Sequence, residues 1–218
     1  MKLRVAAIAC AMVGLMWAAP TASASSTGPI GPGTWTADTP GHDVQLCVGG
    51  TVSGTTFALP GGNAPMSACD NNEPRAEFRY KTYAGGASDG NYSTGIRQFG
   101  GTFTITSMTG SRIALKQTFN GNSGPYFIMA VENTGRIYSV EGGVTISAGA
   151  AKVGVPVQVN TVHNTKTHKF QVYINGTLAY TDTNAPGGEF YDKIGTYQTS
   201  TGHGAITVTW SNIHFWHQ

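Results

Sequence analysis

Short runs of alternating apolar and polar residues dominate the chain and predict an all-β protein. The runs are rich in Val, Ile, Thr, Tyr and Phe, and clusters of Gly, Asn and Ser separate them. The Asn175-Gly176 pair between two such runs is typical of a two-residue hairpin turn. The predicted strands are residues 75–82, 95–106, 111–119, 126–132, 136–141, 155–163, 169–174, 177–181, 190–198 and 205–216. Many short strands at regular spacing predict a β-sandwich or barrel.

The first 24 residues have the parts of a secretory signal peptide. Two basic residues precede an apolar run at residues 5–19, and a small-x-small cleavage pattern ends at Ala24. A membrane anchor is the weaker interpretation, because the run is shorter than the roughly 20 residues that cross a bilayer. We therefore expect residues 1–24 to be removed on export, and the protein to be secreted and extracellular with no membrane attachment.

Composition predicts a single domain after a short lead-in. Residues 25–40 are rich in Pro and Gly, and no later shift divides residues 41–218. Only 11% of residues are charged, against about a quarter in a typical chain, which excludes a coiled coil or a charged disordered protein. The chain has 13 basic and 11 acidic residues, and two of the basic ones belong to the signal peptide. A formally neutral mature chain argues against nucleic-acid binding, and we expect a monomer.

Two cysteines remain once the signal peptide is removed. Cys47 and Cys69 are predicted to form a disulfide in the oxidising exterior. Two cysteines are too few for a zinc site, and the histidines show no metal-ligand spacing. No Asp-rich loop indicates calcium, so we expect neither a metal nor another cofactor.

Residues 73–81 concentrate charge on one face of a predicted strand, while the other face is apolar. The charged face consists of Glu73, Arg75, Glu77, Arg79 and Lys81. Two arginines on either side of Glu77 form a fork suited to a carboxylate ligand, with Glu77 orienting them. The alternative is a solvated face with cross-strand ion pairs.

Residues 191–197 have a similar character. Alternation places Tyr191, Lys193 and Tyr197 on one face together with Gly195, where the absence of a side chain would let a ligand approach the backbone. An ordinary aromatic strand with a snorkelling lysine explains this segment equally well.

Together these segments carry a family resemblance. Residues 75–79 (RAEFR) resemble the pattern R-[ST]-E-[LV]-R, and residues 191–197 (YDKIGTY) resemble YFKAGVY. Between them, Gln117 lies where a Q-[IV]-H pattern is expected, and the final segment ITVTWSNIHFWHQ is also similar. In order and spacing these motifs resemble the alginate lyases of polysaccharide lyase family 7, or a close glucuronan-lyase-like relative, from about Arg75 to the C-terminus.

The resemblance implies a concanavalin-like β-jelly roll of two antiparallel sheets that binds an acidic polysaccharide and cleaves it by β-elimination. It implies that Arg75 and Gln117 neutralise the substrate carboxylate and that Tyr197 acts as base and acid. The substrate-binding residues that it implies are Glu77, Arg79, Tyr191 and Lys193.

The third motif departs from the family, because Phe119 stands where the family has a histidine. Without that histidine, one tyrosine can still run a syn elimination, which favours mannuronan or glucuronan over guluronan. His203 is a candidate replacement base, although a loop histidine is more often solvated. The alternative is a non-catalytic, lectin-like module that binds acidic polysaccharide, and Phe119 favours that alternative. A hydrolase ranks third, because no carboxylate pair stands out.

The strand around Gln117 also presents a register problem. Strict alternation puts Gln117 on the same face as Ile113 and Leu115, while Lys116 points inward. Either a bulge resets the register before Gln117, or the match to the family motif is wrong.

Overall fold

The computed structural model describes residues 28–61, 73–87, 90–199 and 202–218. The signal peptide at residues 1–24 and Cys69 lie outside the described residues, so secretion and the Cys47–Cys69 disulfide stay predictions. Within the described ranges, no helix has the length and hydropathy needed to cross a membrane.

The described residues form fifteen strands. They are β1 (Thr36–Asp38), β2 (Gly41–Cys47), β3 (Thr51–Ser53), β4 (Thr56–Leu59), β5 (Arg75–Lys81), β6 (Ile96–Met108), β7 (Arg112–Asn120), β8 (Pro125–Glu132), β9 (Ile137–Ser139), β10 (Thr145–Ser147), β11 (Pro156–Asn164), β12 (Lys169–Ile174), β13 (Thr177–Asp182), β14 (Phe190–Tyr197) and β15 (Ile206–His217).

These strands form two antiparallel sheets. One sheet has the order β13-β12-β11-β6-β15-β4-β3, with β1 also pairing with β15, and the other has the order β10-β9-β8-β7-β14-β5-β2. A shared core of buried aromatic and aliphatic residues lies between them. The predicted β-sandwich of two antiparallel sheets is therefore confirmed.

The core confirms the alternation predicted for residues 73–81. Ala76, Phe78 and Tyr80 on β5 face the other sheet. The Phe78 ring lies 4.8 Å from that of Phe57 on β4, and the Tyr80 ring lies 4.5 Å from that of Phe215 on β15. Burying an aromatic or aliphatic side chain of this size contributes about 1.5–3 kcal/mol. The opposite face of the seven-stranded sheet is left to the charged residues of β5.

The predicted strands correspond to β5–β9 and β11–β15, whereas β1–β4 and β10 were not predicted. The strand β1 lies within the predicted lead-in and pairs with β15, with Thr36 opposite His217. Just before it, the backbone N–H and carbonyl of Ile30 both bond to the side chain of Gln98 on β6, at 2.7 and 3.0 Å. This part of the lead-in is thus tied to the eight-stranded sheet.

A bulge in β7 resolves the register problem. The pairing of β7 with β8 shifts between Ala114 and Lys116. Leu115 packs in the core between the sheets, and Lys116 also points inward, with its ammonium 5.2 Å from the centre of the Phe99 ring. Two successive inward residues turn Gln117 to the outer face. The bulge alternative is therefore confirmed.

The inward Lys116 is fully buried and paired with Asp192 of β14. Its Nζ atom lies 2.5 Å from Asp192 Oδ1, and the two side chains are 0% and 7% exposed. The hydroxyls of Thr118 and Tyr83 also donate to the Asp192 carboxylate. This network joins β7 to β14 beneath the face that carries the charged residues.

Candidate active site

The two sequence motifs lie side by side because β5 and β14 are antiparallel neighbours. Their pairing places Arg75 opposite Tyr197, Glu77 opposite Gly195 and Arg79 opposite Lys193. On the other side of β14, the strand β7 places Gln117 opposite Lys193 and Phe119 opposite Tyr191. All three motifs, which are distant in sequence, therefore share one face of the seven-stranded sheet.

A cleft of about 380 Å³ opens on this face. The side chains that line it are Gln45, Arg75, Gln117, Phe119, Pro125, Ile128, Tyr191, Lys193 and Tyr197. The three residues predicted to be catalytic, Arg75, Gln117 and Tyr197, all belong to this set. Gln117 and Lys193 are buried in its floor, whereas Arg75 and Tyr197 are half-buried.

The floor of the cleft is organised around the buried carboxylate of Glu77. The side-chain amide of Gln117 donates to Glu77 Oε1, and the ammonium of Lys193 lies 3.4 Å from Oε2. Burial raises the pKa of Glu77, while the positive charges of Lys193 and Arg75 oppose the rise. Burial likewise lowers the pKa of Lys193, and Glu77 opposes that shift. Glu77 therefore fixes the side chains of Gln117 and Lys193, and of the two arginines Arg75 is the one whose charge acts on it.

Gly195 is required by the neighbouring strand. Its φ is +138°, and a Cβ atom there would lie 2.2 Å from the carbonyl oxygen of Ala76 and 2.8 Å from the Cα of Glu77. Close contact with the β5 backbone therefore accounts for the missing side chain, rather than the ligand approach expected from sequence.

Tyr197 stands at the edge of the cleft between two charged groups. Its hydroxyl donates a hydrogen bond to the carboxylate of Glu73, and the guanidinium carbon of Arg75 lies 5.1 Å from the centre of its ring. Burial raises the pKa of Glu73, and the nearby Arg75 opposes the rise. The phenol thus has a proton acceptor on one side and a cation on the other.

Phe119 forms part of the wall of the cleft. Its ring stacks on Tyr191 with a centroid distance of 5.0 Å and an angle of 14°, and the Lys193 ammonium lies 4.5 Å from its centre. The Arg79 guanidinium lies 4.1 Å from the Tyr191 ring and donates to Asn91 at 3.4 Å. The position of the family's histidine is therefore on the cleft face, but it holds a ring without an ionisable group.

The strand β2, which was not predicted, reduces the positive charge expected on this face. It places Asp43 opposite Arg79, and Asp43 pairs with Lys81 at 2.6 Å. It also supplies Gln45, which lines the cleft. Lys81 belongs to an exposed ion pair at the margin rather than to the cleft.

His203 is not among the side chains that line the cleft. It is exposed, and its Nδ1 atom is 3.3 Å from the amide nitrogen of Gln198. No group of three or more His, Cys, Asp or Glu side chains among the described residues is arranged to hold a metal ion.

Comparison with solved structures identifies the fold. Alginate lyase AlgAT5 of polysaccharide lyase family 7 superposes with a TM-score of 0.57 and 18% identity, over 75% of this chain and 77% of that one. The family 7 alginate lyase A1-II′, solved as a double variant in complex with substrate, gives 0.58 and 15%, over 80% and 91%. Alginate lyase PA1167 of Pseudomonas aeruginosa gives 0.54 and 20%, over 75% and 82%. This chain has the jelly-roll fold of family 7 alginate lyases.

Comparisons that use the sequence alone find no relative of this chain. No family model matches the chain, and no curated protein matches it. At 15–20% identity the likeness to these solved structures concerns the fold, and any activity must be argued from the residues of the cleft.

Sequence reasoning missed two features of the site. It placed Glu73 on the charged face, but nothing in the sequence pointed to its bond with Tyr197. It also missed Gln45, Pro125 and Ile128, because each reaches the cleft from a strand that carries none of the motifs.

Proposed function

We propose that this protein is a secreted polysaccharide lyase that cleaves an acidic polyuronate, either the mannuronate segments of alginate or glucuronan, by β-elimination. One observation carries the proposal: Arg75, Gln117 and Tyr197 line a single cleft, on a fold shared with alginate lyases. Each of these three side chains supplies a group that the elimination needs.

The first need is to stabilise negative charge. Removing the C5 proton of a uronate places charge on a centre beside a carboxylate, which stabilises it poorly unless the carboxylate is neutralised. The Arg75 guanidinium can bind that carboxylate through two parallel hydrogen bonds. Gln117 has two amide hydrogens and gives one to Glu77, which leaves the second for the substrate. Lys193 adds a further positive charge in the floor.

The second need is a base and an acid. Tyr197 takes the C5 proton, the bond from C4 to the leaving oxygen breaks as the C4–C5 double bond forms, and a proton returns from the phenol to that oxygen. One side chain can do both only when hydrogen and leaving group lie on the same side of the ring. Mannuronate and glucuronate have this arrangement, whereas guluronate requires a second base on the opposite side.

The remaining polar side chains bind the neighbouring sugars. Tyr191 and Arg79 form a cation–π pair beside the cleft and offer a phenol and a guanidinium to adjoining uronates. Phe119 and Ile128 provide apolar surface against which a sugar ring can lie.

The test is to incubate the protein with mannuronan, guluronan and glucuronan and to follow the ultraviolet absorbance of the 4,5-unsaturated product. We expect a rise with mannuronan or glucuronan, and Tyr197→Phe should abolish it while binding of the polymer persists. An active Tyr197→Phe variant would show that another residue is the base. The control is Tyr173→Phe, a change on β12 of the other sheet, which should leave the rate unchanged.

A non-catalytic module that binds acidic polysaccharide is the second candidate. The observation that favours it is Phe119, which removes the ionisable group from the cleft wall. If binding is retained and no polyuronate yields unsaturated product, this second function replaces the first.

A further inference from the structure

Glu73 lies just before β5 and is the hydrogen-bond acceptor of the Tyr197 hydroxyl. It is half-buried and belongs to none of the three motifs. The two residues are 124 positions apart in sequence, so the contact exists only because β14 ends beside the start of β5.

The proposed elimination requires an acceptor for the hydroxyl proton of Tyr197. The Tyr197 hydroxyl donates its hydrogen to Glu73, so it must release that proton before its oxygen can accept the C5 proton. The acceptor has to lie within hydrogen-bond reach of the phenol oxygen. Phe119 cannot take a proton, and His203 lies outside the cleft lining.

We propose that Glu73 is the positioning residue that holds the Tyr197 proton during the elimination. The inference rests on the proposed function. As the C5–H bond breaks, its proton bonds to the Tyr197 oxygen and the phenol proton moves to the Glu73 carboxylate. As the C4–O bond breaks, Tyr197 gives a proton to the leaving oxygen and Glu73 returns its proton to Tyr197. Both residues end as they began.

The charges around Glu73 suit this role. Among the described residues, the titratable groups that face it are the Tyr197 phenol from β14 and the Arg75 guanidinium from β5. Burial raises the pKa of Glu73 and Arg75 opposes the rise. A raised pKa makes the Glu73 carboxylate a better acceptor for the Tyr197 hydroxyl proton. Glu77 is less suitable, because Gln117 and Lys193 already bind its two oxygens.

The test compares Glu73→Gln and Glu73→Asp with the parent on whichever polyuronate it cleaves. Gln keeps an oxygen that accepts the hydroxyl but cannot take its proton. We expect Glu73→Gln to lower kcat about 100-fold or more, with KM changed by less than about threefold, and Glu73→Asp to recover part of the loss. The acidic limb of the kcat profile should be present in the parent and absent in Glu73→Gln. A Glu73→Gln enzyme with the parent's kcat and pH profile would overturn the proposal.

A second readout does not depend on activity. With ¹³C at the tyrosine Cζ atoms, the Tyr197 resonance, assigned by its loss in Tyr197→Phe, should shift with pH as Glu73 titrates, and Glu73→Gln should remove that step. A parent without the step has no such contact, and the proposal fails. A parent that shows the step but yields no unsaturated product contradicts the proposed function instead. Glu132→Gln, on β8, is the matched control and should change neither readout.

Discussion

The buried pair of Lys116 and Asp192 offers a direct test of how the floor of the cleft is supported. Replacing Lys116 by Met keeps a flexible chain of similar length and removes the charge. The Asp192 carboxylate would keep its hydrogen bonds from Thr118 and Tyr83. It would lose the counter-charge that lies 2.5 Å away.

The expected cost is large because both groups are out of water. Removing one partner of a buried ion pair destabilises a protein by about 3–5 kcal/mol, since the remaining charge stays buried and unpaired. With a urea m-value of about 2 kcal/mol/M, the unfolding midpoint of Lys116→Met should fall by about 1.5–2.5 M. Adding Asp192→Asn should recover much of the loss, because the amide removes the unpaired charge. Its oxygen can still accept from Thr118, and its NH₂ group can donate to the Tyr83 oxygen instead of accepting from it.

The chain provides a matched control on the same sheet. Lys81 and Asp43 lie 2.6 Å apart, nearly the same separation, but their side chains are 37% and 51% exposed. Water screens such a pair, so Lys81→Met should leave the unfolding midpoint almost unchanged.

Urea unfolding followed by tryptophan fluorescence measures both variants. Equal midpoints for Lys116→Met and Lys81→Met would refute the reasoning that burial decides the cost. A double variant no more stable than Lys116→Met would show that the unpaired carboxylate is not its source.

Further predictions concern the cleft itself. Phe119→His restores an ionisable group on the cleft face, and we expect it to raise the rate on guluronan relative to mannuronan in the absorbance assay; an unchanged ratio would contradict the role given to this position. Arg75→Lys loses the bidentate geometry and should lower kcat/KM by about 10–100-fold, whereas parental kinetics would mean that Arg75 does not bind the carboxylate. Gly195→Ala places a Cβ against the β5 backbone at a positive φ and should destabilise the protein by about 3 kcal/mol or more in urea unfolding; a parental midpoint would show that β5 can move.

Strand alternation was enough to predict the central strands and the faces of β5 and β14. It failed at the edges, where a strand has little buried surface to mark it, and at β4, which lies inside its sheet but has only four residues. In β2, for example, Val44 and Leu46 are 53% and 50% exposed, so the apolar residues of this strand do not mark a buried face. The strands β1, β3 and β10 have only three residues each, too few for alternation to appear.

The site was predictable only in part, for a related reason. Motif residues on paired strands could be placed together once their order was recognised. The alternation rule allowed a bulge near Gln117 but could not say that Leu115 and Lys116 both point inward. The contacts of Glu73 with Tyr197 and of Lys116 with Asp192 join residues 124 and 76 positions apart. They follow from tertiary packing, which local pattern does not encode.

The most direct test of the central claim is the mass of the products released from mannuronan or glucuronan in water enriched in ¹⁸O. β-Elimination breaks the C4–O bond without adding water, so the account predicts oligosaccharides with a 4,5-unsaturated terminal uronate and no ¹⁸O introduced by cleavage. Saturated oligosaccharides that each gain one labelled oxygen would identify a hydrolase, and an intact polymer would leave only binding. Either result would contradict the lyase assignment.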